Sequence, residues 1–150
     1  MNLHAKLRIR AAQQKPISVA LIGAGKFGSM FLAQAIHTPG MHVTGIADLS
    51  PERVQVNLNR IGWEPERAKA TDLEEAIRTG QTFLCEDAMD LIQAEVVEVV
   101  IDATGSPAAG ILHALAAIEH GKHIVMVNVE ADTLAGPLLA EKARKAGVVY

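Results

Sequence analysis

Apolar residues in this chain recur with two periods that alternate along its length. Ile17–Ile22 is a near-continuous apolar run with β-branched members, which predicts a strand buried on both faces, as in a parallel sheet. Residues 26–37 then carry Phe27, Met30, Phe31, Ala33 and Ile36 almost all round a helix, and Thr38-Pro39-Gly40 stops it. A second strand is expected over 42–47. Ser50-Pro51-Glu52 opens a helix with a cap, a proline at the first turn and an acid at its positive end. Val54, Leu58 and Ile61 continue that helix at helical spacing, and Gly62 ends it.

The next stretch is less regular. Trp63 and the residues to Ala70 read as a loop, with Trp63 covering a helix end. Thr71-Asp72-Leu73-Glu74 has capping-box spacing for a short helix reaching Thr79. Phe83–Cys85 predicts a short strand and 88–94 a short helix. The pattern then repeats: a strand over 98–102, a loop over 103–107, a helix over 108–120 closed by Gly121, and a strand over 123–128. A loop through Glu130 and Asp132 is expected to lead into a helix over 136–145, and 147–150 reads as the start of a sixth strand.

Strands alternating with helices predict an α/β fold with a doubly wound parallel sheet. Residues 1–15, where Leu3, Leu7 and Ile9 alternate with basic residues, predict a helical arm on the outside. Its apolar face is too small to favour a membrane surface. Residues 16–150 would form one dinucleotide-binding domain of Rossmann type. A sheet cut off at its sixth strand would place a catalytic domain after residue 150.

Chemistry concentrates where the first strand ends. Gly23-x-Gly25-x-x-Gly28 follows that strand and opens a helix, the context in which such glycines admit a diphosphate. Gly23, Ala24, Gly25, Lys26, Phe27 and Gly28 form this loop, and Lys26 is either a phosphate contact or a solvated side chain. Asp48 lies twenty residues beyond Gly28, directly after the second strand, where a carboxylate accepts hydrogen bonds from ribose hydroxyls. That placement favours NAD. Arg53, one turn into the next helix, would instead meet a 2′-phosphate and admit NADP, or merely pair with an acid.

Thr104-Gly105-Ser106 follows the fourth strand and is expected on the nicotinamide side of the cleft, although a plain turn capped by Ser106 has the same residues. Asn128 and Glu130 follow the fifth strand; they either meet a substrate or the nicotinamide amide, or belong to a helix-cap region.

Composition narrows the class. The 150 residues are 49% hydrophobic but only 3% aromatic, which suits aliphatic packing between a sheet and helices. A net charge of −3 gives no pull toward nucleic acid or acidic membranes. No acid precedes Asp48, whereas Lys6, Arg8, Arg10, Lys15 and Lys26 do; an anionic ligand near the loop and a solvated basic arm both fit. One cysteine, Cys85, fits a reducing cytoplasm and reads as a buried strand thiol. His113, His120 and His123 lack a carboxylate or thiol at ligand spacing, so no metal site is expected and they read as solvated. Gly-x-Ser-x-Gly, His-Glu-x-x-His and a phosphate loop ending in Gly-Lys-Ser/Thr are all missing, which removes support for hydrolases and kinases.

Leu21-Ile-Gly-Ala-Gly-Lys-Phe-Gly-Ser-Met-Phe31, Asp102-Ala-Thr-Gly-Ser-Pro107 and His123-Ile-Val-Met-Val-Asn-Val-Glu-Ala-Asp132 together resemble the NAD(P)-binding domain of homoserine-dehydrogenase-like oxidoreductases. The resemblance is stronger to the branch of 1-deoxy-D-xylulose 5-phosphate reductoisomerase-like enzymes of the Brucella type. Homoserine dehydrogenases carry Asn-Lys after the fifth strand. Here Asn128 matches but Val129 stands in the lysine position, which argues against homoserine oxidation. The reductoisomerase-like branch implies NADPH-dependent reduction with rearrangement of a sugar phosphate in isoprenoid precursor synthesis, a divalent metal and a homodimer. Its catalytic and metal residues would lie beyond this chain. A nucleotide-sensing module of the same fold, without catalysis, is the alternative.

Overall fold

The computed structural model describes residues 2–150. Five strands form one parallel sheet: β1 (Ile17–Ile22), β2 (Met41–Ala47), β3 (Phe83–Cys85), β4 (Val99–Asp102) and β5 (His123–Met126). Their order is β3-β2-β1-β4-β5, so the direction of winding reverses between β1 and β4. The carboxyl ends of those two strands therefore open a crevice, the place where such sheets bind ligands. The expected doubly wound fold is present.

Helices α1 (Leu3–Ala12), α2 (Lys26–Ala35), α3 (Pro51–Arg60), α4 (Leu73–Thr79), α5 (Ala88–Ile92), α6 (Pro107–Glu119) and α7 (Val129–Ala146) complete the chain, with a 3-10 turn at Pro65–Ala68. Two cores lie on opposite faces of the sheet. Leu32 of α2, Val54 and Leu58 of α3 and Trp63 pack with Val19, Leu21 and Ile46 on one face. Leu91 and Ile92 of α5, Ala114 and Ala117 of α6 and Leu139 of α7 pack with Ala20, Ile22 and Val100 on the other. Each buried Leu or Ile contributes roughly 1.5–3 kcal/mol, so aliphatic burial carries the fold. Trp63 covers a helix end as expected, and its Nε1 donates to Leu32 O at 3.1 Å. The β1–β2 register shifts by one residue between Val19 and Ala20. Thr44, fully buried there, pairs its hydroxyl with Ser18 Oγ at 2.6 Å.

Three local expectations change. The short helix after Ala70 is capped by Asp72, not Thr71: Asp72 Oδ1 accepts from Glu75 N, while the Glu75 carboxylate takes both the amide and the hydroxyl of Thr71. The box is shifted by one residue because Asp72 can accept at the helix start while Thr71 donates.

The loop expected after β5 is helix. Asn128 caps α7 by accepting from Ala131 N at 3.1 Å, and Glu130 and Asp132 lie in its first turn. Gly136-Pro137 looked like a helix start, yet Pro137 sits inside α7. The cap and the acidic first turn outweigh one missing ladder bond. Residues 147–150 form no assigned strand, although Ile124 N of β5 donates to Val149 O at 2.8 Å.

The N-terminal arm is a helix without buried residues, held by Arg10, which bonds both oxygens of Glu98 at 2.9 and 3.1 Å. Glu98 also accepts from Ser18 N, so the arm is tied to the start of β1.

His42 at the start of β2 shows how burial couples to pH. Its Nε2 lies 2.7 Å from Gln81 O, and burial lowers its pKa below 6.5 despite that contact, with the Arg67 charge acting in the same direction as burial. The unfolded chain therefore binds the extra proton first. Stability is present in full above 6.5 and is lost as pH falls below it. Urea midpoints measured at falling pH should drop through this window for the parent. A His42→Gln variant, which keeps an N–H for Gln81, should show a flatter profile.

Candidate functional site

The crevice between β1 and β4 opens into a cleft of about 470 Å3 lined by residues from both halves of the fold. The β1–α2 turn supplies Gly23 and Gly25, and the end of β2 supplies Asp48 and Leu49, with Arg53 from α3. Glu86, Asp87 and Ala88 follow β3, Thr104, Gly105 and Ser106 follow β4, and Ala109 and His113 come from α6.

The β1–α2 turn is built by close backbone approaches. Gly23 has φ of +88°, and the backbone of Ala103 lies 2.9 Å from where its Cβ would stand. A Cβ on Gly28 would lie 2.4 Å from Gly23 O, so α2 presses directly on the turn that precedes it. Gly25 differs. Its φ of −68° is not left-handed, and no protein atom lies within 4 Å of the Cβ it lacks. No neighbouring protein atom calls for glycine there, whereas a ligand approaching the backbone does. The first backbone bond of α2 runs from Ser29 N to Gly25 O, which leaves the amides of Lys26, Phe27 and Gly28 outside the ladder at the positive end of the helix. These features fit a diphosphate.

Asp48 holds this turn in place. Its Oδ2 accepts from Ala24 N at 2.9 Å and its Oδ1 from Ser50 N at 3.0 Å, with Arg53 3.5 Å from Oδ1. Each oxygen keeps a lone pair for a further donor. Ala24 is buried and spends its amide on Asp48. Lys26 and Phe27 are exposed and stand outside the cleft lining, as does the buried Gly28.

Asn128 does not face the cleft. It is 2% exposed; its Nδ2 donates to Ser106 O at 2.8 Å and Thr104 Oγ1 at 3.2 Å, while its Oδ1 caps α7. Every polar atom is used in tying the β4–α6 loop to α7. Glu130 is exposed on the first turn of α7 and is not part of the lining. Thr104, Gly105 and Ser106 do line the cleft, and Ser106 also caps α6 by accepting from Ala109 N at 3.3 Å. Cys85 is buried and its thiol is pushed up to about 12, chiefly by burial and then by Asp90 and Asp87. A nucleophilic role has no support.

Sequence reasoning missed a buried pair. Asp102 is 1% exposed, and its Oδ1 accepts from Thr104 N at 3.2 Å and Thr104 Oγ1 at 2.8 Å. His113 Nδ1 lies 2.7 Å from Oδ2. Burial raises the Asp102 pKa, but hydrogen bonds from His113 and Thr104, with the His113 charge, outweigh it and hold the carboxyl below its usual value. The signal was present in part. An acid ends an otherwise apolar strand, and His113 sits on a helix face among Gly110, Ala114 and Ala117. Among the described residues no group of three or more His, Cys, Asp or Glu side chains is placed to hold a metal.

A family model described as homoserine dehydrogenase, NAD binding domain, matches residues 23–150. The chain is 36% identical over 99 residues to a 1-deoxy-D-xylulose 5-phosphate reductoisomerase of Pseudomonas fluorescens, a match spanning 60% of this chain and 24% of that protein. A reductoisomerase of the same name from Haemophilus ducreyi is 33% identical over 82 residues, 55% of this chain and 19% of its own length. Among solved structures, a DOX-P reductoisomerase in complex with magnesium superposes with a TM-score of 0.61 at 23% identity. That match covers 89% of this chain and 36% of the other. A levoglucosan dehydrogenase in complex with NADH and levoglucosan gives 0.60 at 21%, covering 90% and 34%. These structures share the fold. The chain corresponds to a quarter or less of the curated relatives and about a third of the solved ones.

The contrast between two glycines is measurable. Gly28→Ala should lower stability by about 2 kcal/mol, because backbone must move to admit the Cβ. Gly25→Ala should leave the melting temperature unchanged yet weaken dinucleotide binding at least about tenfold in a fluorescence titration. Equal binding by Gly25→Ala and parent would remove the cleft's assignment.

Proposed function

The chain belongs to the homoserine dehydrogenase NAD-binding domain family, and from that premise we propose that it is the cofactor-binding part of an NAD(P)-dependent oxidoreductase. The observation that carries this reading is Gly25, a glycine with open space where its Cβ would stand, at the free amides of a helix start. The finer activity we propose is a reductoisomerase-like conversion of a sugar phosphate in isoprenoid precursor synthesis. Support comes from the two curated relatives of that name. A bound nicotinamide cofactor supplies a hydride to a carbonyl carbon.

The chain's own residues divide the binding. The turn at Gly23–Gly25 and the amides of Lys26, Phe27 and Gly28 receive the diphosphate. Asp48 offers its remaining lone pairs to ribose hydroxyls while it anchors Ala24. Thr104, Gly105 and Ser106 wall the opposite side. No described residue is assigned to the metal or to the reacting carbon; those groups would come from the larger part of the protein, together with its small-molecule substrate. The proposed setting is a cytoplasmic homo-oligomer, and no helix among the described residues is long and apolar enough to cross a membrane.

NADPH is our first reading of the cofactor, supported by the reductoisomerase resemblance and by Arg53, whose guanidinium is largely exposed beside Asp48. NADH is the second, favoured by the carboxylates of Asp48, Glu86 and Asp87 around the same cleft, which repel a 2′-phosphate. Titration with both dinucleotides separates them. Under the first reading, Arg53→Ala weakens NADPH about tenfold more than NADH. Under the second, Asp48→Asn weakens NADH more and Arg53→Ala has no selective effect. Binding of neither dinucleotide would overturn the function.

A further inference from the structure

One atom of the Asp102 network is left over. Both oxygens of Asp102 accept hydrogen bonds, from Thr104 and His113, Thr104 Oγ1 also receives Asn128, and Asn128 is fully engaged. His113 Nε2 alone has no hydrogen-bond partner among the described residues, and it is not sealed from solvent. His113 lines the cleft with its side chain 17% exposed.

The pair also settles what that atom offers. An ionised carboxylate has no proton to give, so the hydrogen between Asp102 Oδ2 and His113 belongs to Nδ1. In the neutral imidazole Nε2 is then a bare acceptor. The surrounding cleft says what it meets. The diphosphate site lies on the α2 side of the sheet, and Asp48 takes the ribose next to it. Ala88, Ala109 and His113 belong to the opposite helix layer, built from α5 and α6. Together with Leu49, which is 92% exposed at the mouth, they form the apolar side of a slot whose other lining groups include the Glu86 and Asp87 carboxylates at the end of β3. A flat base carrying an amino group fits that slot.

We infer that His113 reads the exocyclic amine of the adenine base through Nε2, with Asp102 as the positioning residue that fixes its tautomer. The inference rests on the dinucleotide reading above and adds the residue that recognises the base. It also explains why a carboxylate is kept buried at the end of β4: a histidine without it would present either nitrogen, and the slot would accept either base edge.

Nicotinamide hypoxanthine dinucleotide tests this directly, because its base carries a carbonyl oxygen in place of that amine and a hydrogen on N1 in place of a lone pair. The parent protein should bind NADH about tenfold more tightly than the hypoxanthine analogue, since the analogue sets one acceptor against another. His113→Phe keeps an apolar wall and should narrow the difference to about twofold. Asp102→Asn, whose amide can donate to Nδ1, should move the hydrogen to Nε2 and shift preference toward the hypoxanthine analogue. Nitrogen-15 NMR of the parent should show the hydrogen on His113 Nδ1, a readout that does not depend on any variant folding. Equal affinity of the parent for the two dinucleotides, or discrimination unchanged in His113→Phe, would overturn the inference while leaving the binding function intact. Failure to bind either dinucleotide would overturn both.

Discussion

The site depends on one steric fact: α2 rests on the turn it grows from. The Gly23 carbonyl occupies the space a side chain at position 28 would need, and the Ala103 backbone crowds Gly23 from the other side. These approaches set where α2 begins and where its unbonded amides point. They also join the β1 and β4 ends, so the cleft is a consequence of packing and not a gap between loosely placed loops. A close-packed backbone contact of this kind tolerates no added methyl, which gives the turn a single geometry.

Two carboxylates extend that geometry in opposite directions. Asp48 reaches from the end of β2 to the Ala24 amide and ties the β1–α2 turn to that strand end. Asp102 reaches from β4 to α6 through His113 and to α7 through Thr104 and Asn128. The second is fully buried, and its desolvation is offset by three donors. Arranged this way, each acid ties separate elements together, so its removal has effects on the fold as well as on the cleft.

The family assignment and the geometry meet at the cofactor and separate at the substrate. The described cleft offers unbonded amides at a helix start and a carboxylate at a strand end, which suit a dinucleotide. Among the described residues no group of three or more His, Cys, Asp or Glu side chains is placed to hold a metal, and the chain corresponds to a minor part of its relatives. Asn128 illustrates the division. Its position after β5 suggested either contact with a substrate or the nicotinamide, or a helix-cap region; it caps α7 and rivets the β4 loop to that helix. The adjoining residue, Val129, stands where a homoserine dehydrogenase has lysine, and it is exposed on α7.

Residues close in the chain determined much of this protein. Strand-to-helix alternation, the Gly23–Gly28 loop, Asp48 at a strand end and the Pro51 helix start are local patterns, and local backbone preferences are enough to produce them. Handed crossovers make the strands parallel, whereas the order β3-β2-β1-β4-β5 was set by how the elements pack. The sequence places the start of α7 too late because Gly136-Pro137 reads as a helix start, and only the folded helix shows Asn128 capping it earlier. The pairing of Asp102 with His113, eleven residues apart, and of Asp48 with Ala24, twenty-four apart, could not be read in the same way. Hydrogen bonds between side chains on different elements depend on packing distance, which no sequence spacing encodes. What the chain binds was therefore written in its turns, whereas which atoms remain free to bind it was decided by the tertiary fold.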